Sequence, residues 1–164
     1  PFAMAAFFRE DSRIPAGRLP DYHSLQALID HHLKTKNRPY AVRLDGKFRY
    51  VKVRSVPPQS KPYRALSEIT KAQGVFEFHD VEGTLIGFRI PDYMGGANLP
   101  GYHMHFLSGD KARGGHLLDC AVDSGEIRID VLDRFLMALP ESQEFDGLDL
   151  SVDPEEVSKV EAGR

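Results

Sequence analysis

His103, His105 and His116 bring three imidazoles into a stretch of fourteen residues, carried by Gly-Tyr-His-Met-His at 101–105 and Gly-Gly-His at 114–116. Three such donors are the smallest protein set that holds a zinc ion while leaving it an open coordination position. Whether they converge depends on their neighbours. Tyr102 to Leu107 alternates aromatic and branched residues with period two, the pattern of a strand. His103 and His105, two apart, therefore leave the same face. Ser108 to Gly115 is a polar connector with Asp110, Lys111 and Arg113, and Leu117 to Val122 reads as a returning strand, so the segment predicts a β-hairpin. If His116 joins the returning strand on the histidine face, bonds of about 2.0–2.1 Å from all three rings to one ion become feasible. Ser108, Asp119 and backbone carbonyls are candidate acceptors for the second ring N–H groups. Spacing alone leaves a plainer alternative, in which these are separate structural or surface residues among the seven histidines of the chain.

The elements around this hairpin follow from periodicity and punctuation. Phe2 to Phe8 predicts a first strand and Arg9 to Pro20 a polar loop. Ser24 is a candidate cap for an amphipathic helix to about Lys36, with Leu25, Leu28, Ile29 and His32 or Leu33 at helical spacing. His23, His31 and His32 fall in this segment and read as solvated, since adjacent helical positions do not share a face. Pro39 to Leu44 and Lys47 to Val56 flank Asp45-Gly46, a hairpin signal. In an unbroken second strand Phe48, Tyr50, Lys52 and Arg54 share one face, readable as exposed surface or as the wall of an anion site. A short helix is expected at Leu66 to Gln73. Strands are expected at Phe76–Val81, Thr84–Ile90, Leu117–Val122 and Glu126–Val131, parted by Gly83 and by Ser124-Gly125. His79 lies among them in a charged segment and reads as structural or exposed. Leu132 to Leu139 and Pro154 to Glu161 read as brief helices. Together these predict an α+β class with a mixed, mainly antiparallel sheet, a few packed helices and a metal site on a β-hairpin.

Composition bounds the possibilities. A chain of 164 residues predicts a single domain over 1–164 with a core that needs no disulfide. The net charge of −3 and the lack of a basic stripe argue against nucleic-acid binding. The only cysteine, Cys120, sits in an apolar strand and reads as a small buried side chain; a cytoplasmic setting is expected. No apolar run approaches the roughly 20 residues that span a bilayer. The opening Pro-Phe-Ala-Met-Ala-Ala-Phe-Phe reads as the interior of a longer protein, of which this chain is expected to be a C-terminal portion.

Gly101-Tyr-His-Met-His-Phe, Gly114-Gly-His-Leu-Leu-Asp119, Tyr50-Val-Lys-Val-Arg-Ser-Val-Pro57 followed by Pro62-Tyr63, Gly83-Thr-Leu-Ile-Gly87 and the opening Pro1-Phe-Ala together resemble the alpha-acetolactate decarboxylase family, in order and over essentially the whole chain. The resemblance implies a carboxy-lyase that converts 2-acetolactate to acetoin and carbon dioxide, with zinc (Zn2+) on His103, His105 and His116 stabilising the enediolate. It implies Arg54 as the active-site arginine, suited to holding the substrate carboxylate, and a C-terminal glutamate reaching toward the metal as proton donor. Glu161 is the best match for that glutamate, with Glu155 and Glu156 as fallbacks. Members of the family also carry a glutamate in an N-terminal portion, for which no residue of this chain is put forward. A homodimer is a further expectation. Two other readings compete: an iron- or manganese-dependent oxygenase or isomerase built on the same histidines, and a catalytically incomplete zinc-binding fragment.

Overall fold

The computed structural model describes residues 3–61, 66–69 and 72–147. In chain order its elements are β1 (Ser12–Ala16), α1 (Tyr22–His32), β2 (Tyr40–Ser55), α2 (Leu66–Ile69), β3 (Gly74–Ile90), β4 (Gly101–Ser108), β5 (Gly114–Val131) and α3 (Gln143–Asp146). All strand pairings are antiparallel, in the order β1-β5-β2-β3-β4, and β4 pairs again with the start of β5. Strands β2, β3, β4 and β5 therefore close into a ring, which pairs β4 on both sides and leaves β1 as an edge strand. One edge of β5 runs along β2; the other is shared by β4 at His116 and by β1 near Ile127.

The inward face of the ring is apolar. Val42, Leu44, Phe48, Val51, Val53, Leu85, Met104, Phe106, Cys120, Val122 and Ile127 are buried in one cluster, to which α1 adds Leu25 and Ile29. Phe48 and Phe106 meet edge to face with centroids 5.4 Å apart, the arrangement that the ring quadrupoles favour. Burial pushes the Cys120 thiol up to about 12, in keeping with a packing role and an inert sulfur.

Three of the expected turns are not turns. Asp45-Gly46, Gly83 and Ser124-Gly125 all lie inside continuous strands of sixteen to eighteen residues. Gly46 faces Gly83 on one side and Gly125 on the other, so the three glycines form a row across β5, β2 and β3. A Cβ on Gly46 would lie 2.4 Å from the Ser124 carbonyl oxygen, and one on Gly83 would lie 2.5 Å from that of Leu107. Glycine inside a strand marks either a bend or a close backbone approach, and here it lets long strands coil tightly enough to close. Asp45 is held by Arg43 at 2.7 and 2.9 Å and accepts from Thr84, a side-chain pairing that fixes it in the ladder in place of a turn.

Other boundaries also moved. The first strand is Ser12–Ala16, where a loop was expected, because Ile14 and Ala16 alternate into the core against β5; residues 3–8 form no strand and Phe7 is exposed. Pro15 is tolerated there because β1 is an edge strand. Asp21, three residues before Ser24, caps α1 by accepting from the Ser24 amide at 2.7 Å. The helix stops at His32, short of the expected Lys36, when Leu33 turns extended. Residues 132–139 are not helical, and Leu136 and Leu139 stay exposed. Phe48 turns into the core while Tyr50 does not, because the register shifts between them. The expected helix at Pro154–Glu161 lies outside the described residues.

Replacing Gly46 with alanine is expected to destabilise the fold by about 1–3 kcal/mol, the range for overpacking. Gly17→Ala, where a Cβ meets nothing within 4 Å, is the matched control. Urea denaturation of the two variants measures the difference.

Candidate metal centre

The three histidines reach one place by way of strand register. His105 lies directly opposite His116 where β4 meets β5, and residues directly opposite in an antiparallel pair project to the same face. His103 is two residues before His105 on that face. Met104 and Phe106, of the other parity, are buried in the core. The ring centroids lie 5.1 Å (103–105), 4.8 Å (103–116) and 5.4 Å (105–116) apart. One nitrogen from each ring lies within 4.8 Å of the others, and the Nε2 atoms of His103 and His105 are 3.1 Å apart.

This arrangement fits a divalent ion. Two nitrogens bound tetrahedrally at about 2.05 Å stand roughly 3.4 Å apart, so the 3.1 Å pair is already at coordinating distance. Neutral imidazoles leave a bound dication its full charge, and three of them leave part of the coordination sphere to other ligands.

Arg54 belongs to the same surface. It is directly opposite His116 on β2 and opposite Val75 on β3, while His105 is opposite Ile86 on the other side. Ile86, His105, His116, Arg54 and Val75 thus form one row across consecutive strands. The row leaves β3 at Ile86 and returns to it eleven residues earlier, a measure of how steeply the ring is staggered. Arg54 is only 6% exposed, and its Nη1 donates to Gln73 Oε1 at 3.3 Å. Burial makes its fixed positive charge a stronger partner for an anion than a solvated cation is. Lys52, on the same face, is ion-paired with Glu77 at 3.4 Å. Close backbone approach sets this region too: a Cβ on Gly115 would lie 2.6 Å from the Arg54 carbonyl, and one on Gly87 would lie 2.0 Å from that of His103.

The two side chains expected to orient the imidazoles do other work. Ser108 is buried on the opposite face and ties the β4–β5 connector, donating to Asp110 and accepting from the Arg113 amide. Asp119 accepts from the backbone N–H of Tyr22 and of Cys120, fastening the start of α1 to β5. His23, His31 and His32 are exposed on or beside α1, as expected. Glu161, with Glu155 and Glu156, lies outside the described residues. Ile86, Val75 and the Gln73 contact escaped sequence reading. Alternation within β3 marks Ile86 as one face or the other, but nothing local tells which residue of a distant strand stands beside it.

A model of the alpha-acetolactate decarboxylase family matches residues 1–152. The chain belongs to that family. It is 42% identical to the alpha-acetolactate decarboxylase of Methanosarcina mazei over 98% of its own length and 56% of that protein's, and 39% identical to that of Brevibacillus brevis over 100% and 58%. It therefore spans a little over half the length of these relatives. The crystal structure of alpha-acetolactate decarboxylase from Bacillus subtilis strain 168 superposes with a TM-score of 0.90 at 29% identity, covering 96% of this chain and 68% of that one. The α+β, mainly antiparallel class expected from sequence is the fold of the family.

Tyr102, next to His103, anchors the start of β4 by donating its hydroxyl to Asp30 of α1 at 2.7 Å. Burial first, and then this bond to a carboxylate, push the phenol well above its ordinary pKa. Tyr102→Phe is expected to cost about 1.5–3 kcal/mol, the range for removing a hydrogen bond to a charged partner; chemical denaturation checks it.

Proposed function

We propose that this chain carries the zinc-binding catalytic face of an enzyme that decarboxylates 2-acetolactate to acetoin and carbon dioxide. One observation carries the reading: the row in which His105 and His116, joined by His103, stand beside the buried Arg54. A cation site next to a guanidinium suits a small molecule with a carboxylate at one end and oxygens on the next two carbons.

The residues divide the work. Arg54 receives the carboxylate through two parallel N–H···O contacts, a geometry that lysine cannot reproduce. Gln73 occupies Nη1 from one side and limits how the guanidinium turns. His103, His105 and His116 would hold a zinc ion, which would supply Lewis acidity toward the substrate's oxygens. The bond from carbon 2 to the carboxylate breaks, its electron pair moves into the adjacent ketone, and a proton is added at carbon 2. Glu161 is the proposed donor of that proton, on the family resemblance alone.

The apolar side chains left exposed at Phe7, Leu136 and Leu139 support a homodimer, to be tested by sedimentation. No helix among the described residues is long and apolar enough to cross a membrane. Because the chain spans about 56% of the Methanosarcina relative, a second reading stands beside the first: a zinc-binding portion whose turnover needs residues beyond these.

Purified chain loaded with zinc is expected to retain one ion after dialysis and to form acetoin from 2-acetolactate. Zinc retention without acetoin favours the second reading, and His103→Ala protein that still retains zinc and activity overturns both. Arg54→Lys is expected to keep its zinc and lose about 10–100-fold in kcat/KM, from the roughly 1.5–3 kcal/mol of a hydrogen bond to a charged group. Glu161→Gln is expected to retain the ion and slow turnover. Elemental analysis with an acetoin assay reads all of these variants.

A further inference from the structure

The row described above has two apolar ends, and only one lies beside the cation site. Ile86 is directly opposite His105 on β3 and is 47% exposed on the histidine face. Phe88, two residues on, is opposite His103. An exposed branched residue on a sheet is unremarkable by itself. Here, however, register fixes what lies beyond it: His105, then His116, then Arg54. Cβ atoms of directly opposed residues are about 4.5–5.5 Å apart, so Ile86 stands within side-chain reach of any molecule held at the histidines.

We infer that Ile86 is a specificity-determining residue that receives the acyl end of the substrate and grades its length. The inference rests on the 2-acetolactate reading. A molecule whose carboxylate meets Arg54, and whose neighbouring oxygens face the histidines, runs along the row with its carboxylate toward β2. Its far end, the substituent on the ketone carbon, then points toward β3. The side chain waiting there is Ile86, half-covered and without a polar group. It shields a short alkyl substituent from water, and a longer one covers more of its surface.

Two stable, reduced analogues that cannot lose carbon dioxide by this route isolate the effect: 2,3-dihydroxy-2-methylbutanoate and 2,3-dihydroxy-2-methylpentanoate, which differ by one methylene at the far end. Calorimetric titration of the zinc-loaded full chain is expected to show the longer acid binding about fourfold more tightly, the worth of one buried methylene. Ile86→Ala is expected to abolish that preference at unchanged zinc content, and Ile86→Val to reduce it. Leu107→Ala, on the same face of β4 but on the side of His105 away from His103, is expected to preserve it. A wild-type ratio of one, a ratio unmoved by Ile86→Ala, or an equal loss in Leu107→Ala overturns the inference while the decarboxylase reading stands. Wild-type protein that keeps its zinc and binds neither acid overturns that reading and the inference together.

Discussion

His116, near the start of β5, is paired on both sides, with His105 of β4 and with Arg54 of β2, and the site depends on that double pairing. In the open order β1-β5-β2-β3-β4, strands β4 and β5 would be kept apart by β2 and β3, and His105 would not meet His116. Because the ring closes here, one residue is cross-strand partner to both His105 and Arg54, and nitrogen donors and guanidinium become adjacent without any loop to carry them. Chemistry placed on strands is held by the ladder itself, so backbone hydrogen bonds that stabilise the fold also fix the spacing of the site. Gly87 and Gly115 belong to the same constraint. They sit where neighbouring backbones come too close for a side chain, one behind His103 and one beside Arg54.

The functional face also shows how polarity is divided between the two sides of one sheet. Met104 and Phe106 alternate with His103 and His105, so β4 contributes equally to the core and to the site. Arg54 is the exception to the simple rule that charge stays in water. It is buried on the outer face beside Gln73, with much of its solvation removed. Taking a charge out of water costs free energy during folding, and its polar neighbours offset part of that cost.

Most of the local chemistry was legible in the sequence. Strand phase at Tyr102–Leu107 placed His103 and His105 on one face, the polar connector marked the return to His116, and the family motifs singled out Arg54. Glycine misled. Asp45-Gly46, Gly83 and Ser124-Gly125 carry the composition of turns, and a single sequence holds nothing that separates a glycine ending a strand from one that lets three strands cross closely. The difference lies in what stands opposite, and register between distant segments is not a local property. Ser108 lies on the core side of β4, away from the imidazoles, and both it and Asp119 bind backbone groups, of the connector and of the start of α1, which a local reading of the sequence does not reveal. The run at 132–139 lacks a core surface to cover, and apolar spacing alone did not make it a helix.

The long reach of these pairings bears on the order of events during synthesis. Tyr40 is partnered by Val131 and Arg54 by His116, so β2 leaves the ribosome with one edge waiting for residues not yet translated. Pairing with β3 can form early; the ring cannot shut until β5 has emerged. The histidine trio cannot assemble before residue 116 has emerged, and a nascent chain ending short of it has the first two imidazoles without the third. Pairings between segments so distant in sequence form slowly relative to local structure, and the ring of this topology is built from them.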